Sequence, residues 1–189
     1  MLKNKKKGFS LVELMVVIAI MTILMMAAIS SFSFYYKTFA ETRLINIQKL
    51  IEYSVIRARA DNTTVIICKA TSDSFDLTGK LDLINFKCDS SSKNWGDDPI
   101  VAFESQDGSA SYTAANDTII GNLPKGHNEN LYLNFNTGNE IEIRPNGFMV
   151  NGNGNITYCD RNNKFQAALV TNIVGRVRYT TDQGSYTCE

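Results

Sequence analysis

The first thirty residues constrain this chain more than any other stretch. They read MLKNKKKGFSLVELMVVIAIMTILMMAAIS, with Lys3, Lys5, Lys6 and Lys7 ahead of Gly8-Phe9. An apolar run then extends from Leu14 to Ile29, interrupted only by Thr22. Counted from Phe9, this zone is long enough to cross a bilayer core as a helix, which takes about 20 residues. The lysines ahead of it predict a cytoplasmic N-terminus. A cleaved signal peptide has the same basic-then-apolar order and would end near Ala27 or Ala28. Two features favour a retained helix. Glu13 places a carboxylate at the mouth of the span, which is costly without a purpose. The apolar run also passes unbroken into a long helical pattern, with no extended cleavage site.

The run Gly8-Phe9-Ser10-Leu11-Val12-Glu13-Leu14-Met15 resembles the class III signal of type IV prepilins and type II secretion pseudopilins. The resemblance implies that a prepilin peptidase cuts between Gly8 and Phe9. It further implies that the new amino group of Phe9 is N-methylated, that the apolar helix is kept, and that Glu13 is required for assembly. The chemistry is consistent with this. Glu13 lies about one helical turn from Phe9, on the same face. In a filament its carboxylate can neutralise the terminal amine of a neighbouring subunit, offsetting the cost of holding each charge in an apolar core.

Composition narrows the partners. The 189 residues suffice for one modest domain plus the helix. Removal of residues 1–8 leaves 15 basic against 19 acidic residues, a net of about −4. Any nucleic-acid binding therefore needs a local basic patch rather than a basic protein. The four cysteines, Cys68, Cys88, Cys159 and Cys188, all follow the apolar segment. An even number in an exported domain points to two disulfides, and neighbourhood favours Cys68–Cys88 and Cys159–Cys188. A zinc site is the alternative, but the short C-x-x-C spacing is missing. The only histidine, His127, sits in a polar turn and reads as solvated. No metal site and no cofactor is expected.

In chain order, residues 1–8 form a leader and residues 9–60 read as one helix. Its first part, 9–36, is apolar on all sides, as a transmembrane or filament-core helix is. Its second part, 37–62, is amphipathic. Leu44, Ile47, Leu50, Ile51, Val55 and Ala58 form a stripe, and Glu41, Arg43, Gln48, Lys49, Glu52 and Arg59 occupy much of the rest. A helix of this length measures about 75 Å, so its N-terminal half is expected to enter a membrane or meet other subunits. From residue 63 the period changes to two. Strands are expected at 63–68, 99–104, 119–120, 130–135, 140–144, 155–159, 165–171 and 175–180. Asn136-Thr137-Gly138-Asn139 is expected to close a hairpin between the fourth and fifth. Residues 69–98 read as an unpatterned insertion, and 105–130 fits no compact pattern. The expected class is α+β: a long N-terminal helix, transmembrane in its first half, packed on an antiparallel β-sheet domain over 63–189.

The domain has several marks that join the leader. These are Cys68 closing the first strand, Cys88, Trp95-Gly96 before Ile100–Phe103, Asn146-Gly147, Ile156-Thr157-Tyr158-Cys159, and Gly175-Arg176-Val177-Arg178. As a set they resemble the globular part of GspH/FimT/FimU minor pilins, and with the leader the resemblance covers most of the chain. The fold it implies is pilin-like. Its implied partners are other major and minor pilins, the prepilin peptidase, and the inner membrane before assembly.

No catalytic constellation stands out: there is no metal motif, nucleotide loop or nucleophile elbow. The chain is not expected to be an enzyme, and Asp97-Asp98 reads as a solvated turn. The stretch that carries a binding hypothesis is Gly175-Arg176-Val177-Arg178. In a strand Arg176 and Arg178 share a face, and two guanidinium groups at that spacing match successive phosphates. Arg161 and Lys164, in the preceding turn, are candidates to join them. Tyr179 alternates away from them. On residues alone, an edge strand with two solvated arginines is the simpler reading. The resemblance adds that FimT-like minor pilins use a GRxR motif to bind DNA during natural transformation, matched here at Gly175, Arg176 and Arg178. The expected function is thus a type IV pilus minor pilin that binds double-stranded DNA. It would be anchored in the inner membrane with its C-terminal domain in the periplasm, then assembled. A type II secretion pseudopilin, a purely structural FimU-like subunit and a pilus adhesin are the alternatives.

Overall fold

The computed structural model describes residues 9–75, 80–82, 84–96, 98–126, 129–160, 165–181 and 186, with side chains for all of these but 27–33, 36 and 72. The chain divides into two units, Met1–Thr38 and Phe39–Glu189. A single helix, α1 (Leu11–Asp61), supplies most of the first and opens the second.

In the second unit the α1 stripe is buried. Ala40, Leu44, Ile47, Leu50, Ile51, Val55 and Ala58 all join the main core, at the three- and four-residue steps of one helical face. The helix stops at Asn62, which adopts a left-handed φ of 53° while Thr63 N–H donates to Ala58 O at 3.2 Å. A single left-handed residue at this point is a common way to end a helix.

Eight strands follow among the described residues: β1 (Thr64–Lys69), β2 (Ile100–Ser105), β3 (Thr118–Leu123), β4 (Glu129–Phe135), β5 (Ile141–Ile143), β6 (Gly154–Asp160), β7 (Gln166–Thr171) and β8 (Val177–Thr180). They form two antiparallel sheets, ordered β3-β2-β1-β5 and β4-β6-β7-β8. The main core joins α1 to both, with Val65, Ile67 and Ile100 from the first sheet and Leu131, Leu133, Ile156, Leu169 and Val177 from the second. This is the α+β class read from the sequence.

Three expectations are corrected. Residues 136–139 do not close a hairpin. β4 pairs with β6 and β5 pairs with β1, so this connection crosses from one sheet to the other. The second edge of β4 is taken by residues 93–95, through Trp95 N–H to Leu131 O at 2.7 Å and Leu133 N–H to Lys93 O at 2.9 Å. The crossing is fastened by Asn151, whose Nδ2 donates to Thr137 O and Glu140 O, and by Trp95 Nε1, which donates to Asn139 O at 2.8 Å.

The insertion after β1 is not loose either. Ile66, Cys68, Val101 and Phe103 point away from the helix and form a second core with Phe86, closed by Phe75, Leu81, Cys88, Ala110 and Tyr112. The rings of Phe86, Phe103 and Tyr112 meet edge-on at 5.2–5.9 Å, a favoured aromatic geometry. The first sheet is therefore covered on both faces, and β1 and β2 read as continuous apolar runs for that reason. A Cys68–Cys88 disulfide, with 5.6 Å between Cα atoms, staples this cover to β1. Cys159 is also disulfide-bonded; Cys188 lies outside the described residues, as does His127.

The third correction is Arg43, placed off the apolar stripe with the polar residues of the helix. It is buried, and its Nε donates to Glu129 Oε1 at 2.7 Å. Its two terminal nitrogens donate to Pro124 O at 2.8 Å and Asp98 O at 3.2 Å. Near the other end of the helix, Arg57 bridges Glu104 on β2 and Asp61 at 2.8 and 2.7 Å. Burial, and the neighbouring Asp61 carboxylate, raise the Glu104 carboxyl, while the Arg57 bond acts against that rise.

Two predictions follow from these contacts. Arg43→Met leaves the Glu129 carboxylate buried without its guanidinium and should cost about 3–5 kcal/mol, read as a lowered denaturation midpoint. The double change with Glu129→Met should recover most of that loss. The second concerns acid. Hydrogen bonds from Ser91, together with the Lys69 ammonium at 2.9 Å, hold the Asp89 carboxyl at about 2, below its ordinary 3.8. A depressed carboxyl contributes stability that is complete above the unfolded value and is lost as pH falls through the folded one. Acid titration of stability should show this loss between pH 3.8 and about 2, and Asp89→Asn should remove that component of the acid limb.

Candidate functional site

Two regions carry the residues singled out by sequence, and each lies within one unit. At the N-terminus, Phe9 and Ser10 precede the helix, and Gly8 lies outside the described residues. Ser10 N–H donates to Glu13 Oε2 at 3.0 Å, and Leu14 N–H donates to Ser10 O at 3.2 Å. Ser10-Leu11-Val12-Glu13 is thus a Ser-x-x-Glu start signal in which the glutamate reaches back to the cap residue's amide. Sequence reasoning assigned Glu13 to assembly and missed this local bond, although the S-x-x-E spacing is legible in the chain. Beyond it, the described side chains from Leu11 to Met26 are exposed on all sides of the helix. An apolar surface this continuous calls for a covering, whether lipid or protein. Counted over described residues, no helix is long and apolar enough to cross a membrane.

The second region is the β7–β8 connection. Gly175 N–H donates to Asn172 O at 2.9 Å, Asn172 N–H to Arg176 O at 3.1 Å, and Arg176 N–H to Asn172 Oδ1 at 2.9 Å. This is a tight loop of three residues ending in a left-handed glycine, with Gly175 at φ 77°. A Cβ on Gly175 would come within 2.6 Å of Val55 Cγ2 on α1 and 3.2 Å of Gly147 O. The glycine is therefore demanded by both conformation and packing. Asn172, which organises the loop with its side chain, escaped sequence reading. Its signal was the spacing of Asn172 and Gly175, an Asx turn closing on a left-handed glycine.

Arg176 and Arg178 are both exposed, with Val177 buried between them. Strand alternation thus sends both arginines to solvent. Neither makes an ion pair or side-chain hydrogen bond with another described residue. Among the described residues β8 pairs with β7 alone, so Arg178 stands on an edge strand and Arg176 at its entry. Tyr179 turns inward, packs on the core, and its hydroxyl is buried. Burial first, and then the Glu41 charge, raise its pKa. Arg161 and Lys164 lie outside the described residues. Their flanking neighbours Asp160 and Phe165 are at the Gln166 end of β7, opposite the arginine loop. Five residue steps of about 3.3 Å, about 17 Å in all, separate the two ends of β7.

A cavity of about 680 Å³ opens beside β3, with Lys80, Asp98 and Lys125 as its charged lining and Phe75, Leu81, Val101 and Leu123 among its apolar walls. Among the described residues its lining includes no serine, cysteine or histidine.

Comparison with known proteins agrees with the architecture. Residues 3–29 match the prokaryotic N-terminal methylation motif. The type IV minor pilin FimU of Pseudomonas aeruginosa is similar in structure, with a TM-score of 0.50 at 12% identity over 76% of this chain and 87% of that one. A second crystal form of FimU gives 0.49 at 14% identity, over 76% of this chain and 91% of that one. No curated protein matches the chain in sequence. The fold is that of a type IV pilin-like subunit, and the chain opens with a prepilin-type methylation motif.

The bond between Glu13 and Ser10 generates a test that separates local from intermolecular roles. Glu13→Gln keeps an acceptor for Ser10 N–H, whereas Glu13→Ala removes it. Helix content in residues 9–26, followed by amide exchange, should be unchanged in the first variant and frayed in the second, by about 1 kcal/mol of cap stability. If assembly depends on the charge, both variants should lose incorporation into filaments.

Proposed function

We propose that this chain is a minor pilin of a type IV pilus that binds double-stranded DNA through Arg176 and Arg178 and supports DNA uptake. The observation that carries the DNA reading is the pair itself. Two exposed arginines, with no acidic partner among the described residues, are placed at the entry to and on an edge strand by a loop whose backbone and packing call for glycine at position 175. Guanidinium groups in that arrangement suit consecutive phosphates. In this reading a prepilin peptidase cuts between Gly8 and Phe9, and Phe9 is methylated. The apolar helix holds the subunit in the inner membrane, with the domain over 63–189 in the periplasm. On assembly the helix moves among other pilins, where Glu13 meets a neighbour's amine. The N-terminal motif serves a type II secretion pseudopilin or a FimU-like structural subunit equally well, and DNA retention separates those from the reading preferred here.

The full chain in detergent should retain a duplex oligonucleotide at low salt, with affinity falling steeply as salt rises. Arg176→Gln with Arg178→Gln should lower affinity at least about ten-fold and reduce the magnitude of the log–log salt slope by about 2. The thermal midpoint should stay unchanged, because both side chains face solvent. Absence of retention by the unaltered chain at low salt would remove the DNA reading and leave the structural one.

A further inference from the structure

The arginine loop has a neighbour that sequence did not connect to it. Val55 and Arg59 are one turn apart on α1 and share a face. Val55 packs against Gly175. Arg59 Nε donates to Asn146 O at 3.2 Å and lies over Gly147. Gly147 O in turn lies 3.2 Å from the position a Gly175 Cβ would take. The last turns of the helix, the turn after β5 and the β7–β8 loop therefore meet at one point of the domain.

Arg59 is exposed and has no acidic partner among the described residues, and Asp61, the nearest acid in sequence, is held by Arg57. Beside it the backbone of 147–149 runs along the loop, with Met149 N–H donating to Ile173 O at 2.8 Å. Met149 is buried there while Phe148, Ile173 and Val174 remain 42%, 49% and 44% exposed. Arg59 is thus brought to the loop that leads into Arg176 and Arg178, beside an aromatic and aliphatic ridge. That combination fits a polyanion which also presents flat apolar faces. A nucleic-acid strand with unstacked bases does so, whereas a closed duplex presents its bases edge-on in its grooves.

We infer that Arg59 and Phe148 complete the nucleic-acid surface begun by Arg176 and Arg178, with Arg59 holding a further phosphate and Phe148 stacking on a base of a single strand or frayed end. The inference rests on the DNA reading above. It gives the α1 helix a direct part in binding, and it adds to the duplex affinity of the arginine pair an affinity for exposed bases at a frayed end or in a single strand.

The test uses the full chain in detergent and two labelled probes, a 20-nucleotide single strand and the blunt duplex of the same sequence. Arg59→Gln should weaken both about five-fold and reduce the magnitude of the salt slope by about 1. Arg59→Lys, which keeps the charge, should restore most of the affinity and shows that the loss is not one of folding. Phe148→Ala should weaken the single strand several-fold at high salt while leaving the duplex and the salt slope unchanged. Unaltered binding by Arg59→Gln, in a protein whose double arginine variant at 176 and 178 has lost it, would overturn the inference and leave the DNA reading standing. Equal behaviour of Phe148→Ala and the unaltered chain on both probes would overturn the stacking role. No binding of either probe by the unaltered chain would remove the DNA reading itself.

Discussion

The domain depends on a buried ion pair. Arg43 leaves the helix, crosses the core boundary and bonds the Glu129 carboxylate at the first residue of β4. Its remaining donors reach the carbonyls of Pro124, on the connection from β3, and Asp98, at the entry to β2. One guanidinium thereby ties the helix to both sheets at the place where the chain passes from one to the other. Desolvating two charges is costly, and the pair is tolerable because the fork's donors find further acceptors. Its contribution is registration rather than net stability. The apolar stripe permits the helix to slide or rotate slightly over the sheets, and the fixed geometry of the arginine permits neither.

How much of this was legible follows from which forces are local. The helix was readable because burial on one face imposes a three- and four-residue period, and the six positions it picks out from Leu44 to Ala58 all line the core, joined there by Ala40. Strands β1 and β2 were readable from their β-branched runs. The pairing of strands was less so. Asn136-Thr137-Gly138-Asn139 has the residues of a hairpin, yet β4 finds its second edge partner in residues 93–95, forty positions away. Turn chemistry reports that the chain bends and says nothing about which sheet it bends into. The segments 69–98 and 105–117 looked formless because they form a lid. Scattered single residues such as Phe75, Leu81, Phe86 and Tyr112 each insert one ring or branch into the second core, which leaves no period to detect.

The candidate site was half legible for a related reason. Arg176 and Arg178 stand out because alternation is a local rule. Glu13 stands out because a carboxylate beside an apolar run is conspicuous. Arg59 and Phe148 carry no mark of their own in the sequence. They acquire a role only because Gly175 and Gly147 let three segments approach without intervening side chains. Arg161 and Lys164 lie outside the described residues; their flanks Asp160 and Phe165 stand at the Gln166 end of β7.

The position of Arg178 on β8 has one more consequence. The second sheet has two edges, and that of β4 is closed by the chain's own residues 93–95. The other is β8, four residues long, with no further strand beside it among the described residues. Subunits crowded along a fibre, each with a bare strand, risk zipping together edge to edge into a misassembled ribbon. A short strand with a charge in the middle resists that, because two copies would bring like guanidinium groups face to face. The charge proposed to meet a polyanion would thus also keep neighbouring sheets apart.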